Sequence, residues 1–277
     1  MGTYDSAFNE SFDMNELFDL TGHVAVITGS SRGLGQYFGR ALARAGADLV
    51  ITSRTLEALS EFRDEIEAMG RRVLPLELDV LDPESIHDLA AKVLDAYGKV
   101  DVLVNNAGLN IRKPSLEVTW SDWDVILETN LKGQFFCAQA FAPHMIERGY
   151  GRIINVGSCT SVFGMEGIVP YTASRGGVLQ MTKGLAAEWG EHGITVNCLA
   201  PGWFETAQNR VLYQDEAWVD KLNDRIPLDR PGHPRDLDGT VVFLASGASA
   251  YITGQIILVD GGFTTGTFKA VVPGGGL

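Results

Sequence analysis

The sequence predicts one α/β domain in which a seven-stranded parallel sheet carries helices on both of its faces. Three observations lead there. Short apolar runs alternate with helical patterns along most of the 277 residues, and that alternation is how strand–helix–strand units build a parallel sheet. The runs are apolar throughout rather than apolar and polar in turn, as strands covered on both faces must be. No repeat or linker divides the chain, and its 45% hydrophobic content suffices for one large core.

In chain order, residues 1–18 read as a polar extension and 19–263 as the folded domain. The run HVAVIT over 23–28 is the first strand, and a glycine-rich turn follows it. A helix pattern covers about 35–45 and stops near Gly46. DLVIT over 48–52 is the second strand. Leu56, Leu59, Phe62, Ile66 and Met69 then recur at helical spacing, with Gly70 as the stop. Residues 73–78 form the third strand. Asp82-Pro83 supplies an N-cap and a first-turn proline for a helix that ends at Gly98. VDVLV over 100–104 is the fourth strand, and one long helix is expected over about 121–146. RIINV over 152–156 is the fifth strand, followed by a helix over 171–189. Residues 195–199 and QIILV over 255–259 are the sixth and seventh. Between these last two, about 203–231 is richer in polar residues and breaks the alternation, which suggests a mobile lid. Residues 264–277 read as a tail.

Composition narrows the partners. The net charge of −13 argues against nucleic acid, whose phosphates need clustered Lys and Arg. Cys137, Cys159 and Cys198 are few, odd in number and far apart, so neither a disulfide framework nor a metal site is expected. The first twenty residues are acidic and lack the apolar core of a signal peptide, and no stretch is apolar for long enough to span a bilayer. A cytoplasmic protein with reduced thiols and no membrane partner is expected.

The turn after the first strand reads Gly29-Ser30-Ser31-Arg32-Gly33-Leu34-Gly35 and opens a helix. Glycines let the backbone approach a pyrophosphate, and the free N–H groups of the helix start attract its charge. A tight structural turn is the alternative. The strand–turn–helix context favours a Rossmann-like dinucleotide site. An NAD-binding site of this kind places an acidic residue at the end of the second strand, for the ribose hydroxyls. This chain has Thr52-Ser53-Arg54-Thr55 there, without an acid. Arg54 and Arg32 can instead clamp a 2′-phosphate, so NADP(H) is the expected cofactor; two solvated surface arginines are the alternative.

With its GxxxGxG spacing the turn resembles that of the short-chain dehydrogenase/reductase family. The resemblance runs over about 20–262. It includes Asp79 after the third strand and Asn105-Asn106-Ala107-Gly108 after the fourth. Asn130 in the long helix, Ser158 after the fifth strand and Tyr171 thirteen residues later also match, as do Pro201-Gly202 and Asp260-Gly261-Gly262. The resemblance implies that Asp79 and Val80 border the adenine, and that Asn106, Ala107 and Gly108 lie on the adenosine ribose side. Pro201, Gly202, Phe204 and Thr206 also belong to the implied cofactor contacts.

The resemblance also implies the chemistry. Tyr171 would move the proton at a carbonyl or alcohol oxygen, Ser158 would hydrogen-bond that oxygen, and Asn130 would hold the helix geometry and a water. A free tyrosine titrates near pH 10, so a nearby cation is needed to favour its ionised form. The family supplies a lysine four residues after the tyrosine, on the same helical face. Here that residue is Arg175. It keeps the charge and can contact the nicotinamide ribose, but a guanidinium does not release a proton. Lys183 lies too far along the helix to replace it. Either Arg175 is tolerated in a working enzyme, or it marks a weakened or altered site; retained but reduced activity is expected.

Within the family the chain is most similar to gluconate 5-dehydrogenase-like sugar-acid reductases. The residues that carry this are Leu17-Phe18-Asp19-Leu20-Thr21-Gly22, Glu188-Trp189-Gly190, Ala200-Pro201-Gly202-Trp203 and Arg225-Ile226-Pro227-Leu228. The implied reaction interconverts a secondary alcohol and a ketone on a sugar acid or polyol. Substrate contacts are expected from Ser158, Trp203 and Arg112, the last either paired with a substrate carboxylate or merely exposed on its loop. Reduction of a 3-oxoacyl thioester, or cofactor binding with little catalysis, are the competing readings. The resemblance also implies a homotetramer built through the two long helices.

Overall fold

Seven apolar segments become the strands of one sheet in a computed structural model that describes residues 13–206 and 209–266. They are β1 (Val24–Ile27), β2 (Asp48–Ser53), β3 (Val73–Glu77), β4 (Val102–Asn105), β5 (Gly151–Val156), β6 (Ile194–Pro201) and β7 (Ile256–Val259). All pairings are parallel, in the order β3-β2-β1-β4-β5-β6-β7. The order reverses between β1 and β4, and a crevice at such a switch point is where open α/β sheets hold ligands. Ala25 of β1 lies beside Leu49 of β2 on one side and Val102 of β4 on the other.

Strand residues point alternately to two cores. Ala25, Ile27, Leu49 and Ile51 pack with Phe38 and Leu42 of α1 (Leu34–Arg44), with Phe62 and Ile66 of α2 (Ser60–Ala68), and with Val241 and Leu244 of a helix near the C-terminus. Val24, Val26 and Val50 face the other way. They meet Leu89 and Val93 of α3 (Pro83–Tyr97) and, on later helices, Phe141, Met145 and Leu185. The start of α3 follows the expected chemistry. Asp82 accepts from the Glu84 N–H, Pro83 occupies the first turn, and Gly98 closes the helix in the left-handed region at φ 69°.

Three features differ from the expected elements. The long helix is not uniform: α4 (Trp120–Leu127) passes through one π-helical turn, Glu128–Lys132, into α5 (Gly133–Arg148). The next helix, α6 (Val169–Trp189), starts two residues before Tyr171. Between β6 and β7 lie two helices that the sequence pattern hid, α7 (Glu216–Asn223) and α8 (Asp238–Ala245). Helix α8 is apolar on nearly every side and wedges against α1 and the sheet, so it has no periodic contrast to reveal it. Of the expected extension, 13–18 contains a short turn at Glu16–Phe18 and 1–12 lies outside the described residues. Of the expected tail, only 264–266 is described.

Candidate active site

The loops that leave the C-terminal ends of β1, β2 and β4 build a cradle lined by backbone. Thr28 accepts the N–H groups of Asn106 (2.9 Å) and Ala107 (3.0 Å) on its hydroxyl oxygen. The Asn106 amide donates back to the carbonyls of Thr28 and Gly29. Gly29 sits at φ 67°, and a Cβ there would come within 2.9 Å of the Ala107 backbone. A side chain would therefore push the two loops apart. Gly33 begins α1 with no side chain capping the helix, so Leu34, Gly35 and their neighbours present the helix start to the cradle. Thr206 approaches Gly33 across it, and Val80 lies against Gly133 at the start of α5. Ser31, beside Gln36, lends its carbonyl to that side chain.

At the end of β2, Ser53 bonds the backbone of Thr55. Arg54 and Arg32 are exposed, and neither has an ion pair or hydrogen bond among the described residues. Asp79 is exposed, with its carboxylate holding the Leu81 N–H. These residues fit a 2′-phosphorylated dinucleotide: glycine where a pyrophosphate needs backbone, and two unpaired guanidinium groups where a phosphate needs charge.

The residues expected to react lie across β4, β5 and α6. The 3-10 turn after β5 starts at Ser158, whose hydroxyl oxygen accepts the Thr160 N–H at 3.2 Å. Tyr171 is half-buried in the first turn of α6. Asn130 occupies the π-helical turn and is fully buried. Its side chain grips both backbone groups of Leu109, accepting the N–H at 2.8 Å and donating to the carbonyl at 2.9 Å. The same amide donates to Ser174, whose hydroxyl donates to the Tyr171 carbonyl at 2.7 Å. A surplus residue in a helix turns side chains out of their normal row, and here it brings Asn130 between the Gly108 loop and α6.

Arg175 is 5% exposed. Nη1 donates to the Val156 carbonyl at 2.8 Å, and the guanidinium carbon stands 4.9 Å from the centre of the Tyr171 ring. Gly108 makes room for it, since a Cβ there would fall 2.5 Å from Nη2. Nε is buried without a partner among the described residues, an orphaned donor that suits a ribose hydroxyl. Lys183 is exposed on the same helix.

The wall expected to face the substrate is aromatic. Trp203 follows Gly202, which is packed against Asp260, and stacks edge-on against Trp218 (5.3 Å) and Phe263 (6.3 Å). Phe204 leaves this wall and pairs with Gly232. Arg112 is exposed, with no ion pair among the described residues, and its stem lies against Gly167. Burial pushes the thiols of Cys137 and Cys198 up to about 12, which leaves them inert as nucleophiles. Sequence reasoning missed Gln134, Ser174, Tyr213 and Trp218. Gln134 donates to the same Val156 carbonyl as Arg175. The helical offsets of four from Asn130 and three from Tyr171 were the available signals for Gln134 and Ser174.

A fold of this topology with this glycine cradle and a Ser–Tyr–Arg set defines a nicotinamide-dependent oxidoreductase. The family model described as enoyl-(acyl carrier protein) reductase matches residues 29–264, and the chain belongs to this short-chain dehydrogenase/reductase family. It is 42% identical to gluconate 5-dehydrogenase of Gluconobacter oxydans (strain 621H), over 90% of this chain and 97% of that one. It is also 42% identical to 2-dehydro-3-deoxy-D-gluconate 5-dehydrogenase of Escherichia coli (strain K12), over 89% and 97%. A gluconate 5-dehydrogenase from Burkholderia cenocepacia J2315, solved in complex with NADP and tartrate, superposes with a TM-score of 0.89. The identity is 40%, over 92% of this chain and all of the other.

Proposed function

We propose that this protein is an NADP(H)-dependent oxidoreductase that interconverts a secondary alcohol and a ketone on a sugar acid. The observation that carries the reading is the Tyr171–Arg175 pair, held by Val156 beside a cradle flanked by two unpaired arginines. Bound NADP(H) supplies or accepts the hydride. Tyr171 takes the hydroxyl proton when the alcohol is oxidised and returns it to the oxygen when the ketone is reduced, while Ser158 hydrogen-bonds that oxygen. Arg175 keeps a positive charge against the phenol ring, and it holds its own proton throughout. Asn130 braces the Leu109 backbone against the first turn of α6. Arg32, Arg54 and Ser53 hold the 2′-phosphate end. Asp79 and Val80 border the adenine, and Asn106, Ala107 and Gly108 the adenosine ribose. Pro201, Gly202, Phe204 and Thr206 complete the cofactor wall. Arg112 and Trp203 face the substrate, under a lid formed by 203–231.

The named activities of the two curated relatives, both dehydrogenases of gluconate-type acids, support the substrate class. A second reading is reduction of a 3-oxoacyl thioester on the same scaffold; the description of the family model names a different step on such a carrier, saturation of an enoyl double bond. The strongly acidic chain speaks against this second reading. Assembly as a homotetramer is supported by apolar side chains left exposed on the helices beside the site: Trp120, Trp123, Phe136 and Val169. Edge strand β7 is half-exposed along its whole length. Among the described residues no helix is long and apolar enough to cross a membrane. The test is NADPH absorbance with a panel of sugar acids, polyols and simple ketones. Turnover confined to sugar acids is expected. Tight NADPH binding without turnover of any of them would leave a binding protein, and turnover of 3-oxoacyl thioesters alone would install the second reading.

A further inference from the structure

The wall of the lid holds two polar groups that it does not use. Trp203, Tyr213, Trp218, Phe163, Met165 and Phe263 pack with Cys159, the residue after Ser158, into one aromatic cluster. Trp218 stands between the other two long rings, 5.3 Å from Trp203 and 5.4 Å from Tyr213, in edge-on contacts. The indole N–H of Trp203 and the hydroxyl of Tyr213 are both sealed from water, and neither has a hydrogen-bond partner among the described residues. Buried hydroxyl and indole groups are normally paired. Two in one wall, on the Ser158 side of the site, indicate that the pairing comes from something that enters the cleft.

We infer that Tyr213 is a specificity-determining residue whose hydroxyl hydrogen-bonds a non-reacting hydroxyl of a polyhydroxylated acid, with the Trp203 N–H serving a second one. The inference rests on the sugar-acid reading and adds the residues that read the polyol. The phenol remains a donor throughout the working range, because burial, and after it the neighbouring Glu205 carboxylate, push its proton affinity up. An unpaired buried donor also disfavours the closed lid until a hydroxyl reaches it, so closure favours the hydroxylated substrate over one that lacks it. That is how a polar pocket rejects analogues that leave its groups unpaired.

Tyr213→Phe deletes one oxygen and leaves the aromatic packing. The test compares kcat/KM of parent and variant on a polyhydroxylated keto acid and on a keto acid of the same length without the other hydroxyls, alongside NADPH affinity and thermal stability. Expected is a loss of about tenfold to hundredfold on the polyhydroxylated acid, the range of one lost hydrogen bond that leaves its partner unpaired. The deoxy analogue should be turned over as well as before or better, since the donor it leaves unpaired is gone, with unchanged NADPH affinity and a melting temperature that holds or rises. Trp203→Phe, which removes the indole N–H, should discriminate in the same direction. If the parent turns over polyhydroxylated acids and Tyr213→Phe loses nothing, or loses equally on both substrates, Tyr213 is a buried orphan and the inference falls alone. A parent that turns over no polyhydroxylated acid overturns both the inference and the reading beneath it.

Discussion

Arg175→Lys should raise turnover at a small loss of stability, while Arg175→Met should nearly abolish it. The stability term follows from one bond. Nη1 donates to the Val156 carbonyl at 2.8 Å, and a charge-assisted hydrogen bond contributes about 1.5–3 kcal/mol. Its loss does not orphan the carbonyl, because Gln134 still donates to it at 3.2 Å. The net loss should therefore be about 1 kcal/mol, or roughly 2–4 °C in melting temperature for a chain of this size. The rate term rests on what the cation can do. A guanidinium held on Val156 and pressed against Gly108 supplies charge but does not give up a proton to a relay, whereas a compact ammonium can do both. A gain of about three- to tenfold corresponds to roughly 0.7–1.4 kcal/mol of barrier. Methionine keeps the length and removes the charge, and losses of about 10²–10⁴ are typical when acid–base catalysis is disabled. The assay is steady-state kcat and KM across pH in both directions, with NADPH affinity measured separately by fluorescence. If the lysine variant is slower with unchanged cofactor affinity, the site has adapted to arginine and the argument is wrong.

Arg54→Asp should weaken NADPH by about 30–100-fold, since it removes a charge-assisted contact and adds repulsion, with NADH little changed in the same titration. Arg112→Ala should raise KM about tenfold for a carboxylate substrate and leave a neutral analogue unaffected; equal effects on both would mean the residue is merely exposed. Asp101 is almost completely buried, paired at 2.9 Å with both Lys99 and Arg148. Burial opposes its ionisation, but hydrogen bonds from Lys99, the Val24 N–H and Arg148 outweigh it and hold the carboxyl below its usual range. A carboxyl lowered by folding stabilises the fold above its unfolded value and ceases to as pH falls through the folded one. Parent stability should therefore decline as pH falls below about 4. Asp101→Asn should cost about 1–3 kcal/mol near neutrality, since the two cations it leaves behind are each a third exposed, and flatten that acid limb, as read by chemical denaturation.

The strands were legible because each is a short apolar run bounded by a turn. The cradle was legible because glycines at 29 and 35 stand where backbone must approach backbone and Gly33 takes a positive φ at the helix start. Helix α8 was not, since Val241 to Ala245 are apolar in succession and leave no stripe to count. The break in the long helix was hidden for the opposite reason: apolar residues continue on both sides of Glu128–Lys132, and spacing alone does not register one surplus residue. Sequence marked Arg175 as the departure from the family pattern but not what holds it, because its partner is a main-chain carbonyl. The polar groups of Trp203 and Tyr213 were similarly invisible, since being sealed without a partner is a property of packing and has no sequence signal.

The surplus residue in the π-helical turn has a consequence for how this region can change. The wide turn absorbs that residue, so removing one from 128–132 would restore regular helix and leave Gln134, Phe141 and Met145 in phase with their partners, while Asn130 would lose the offset by which it reaches Leu109 and Ser174. Adding or removing one in the regular helix on either side would rotate everything after it by about 100°. The residue count of this stretch is thus constrained independently of what its outward side chains are. Insertions and deletions belong in the surface loops, and a variant library spanning 120–148 should hold its length constant.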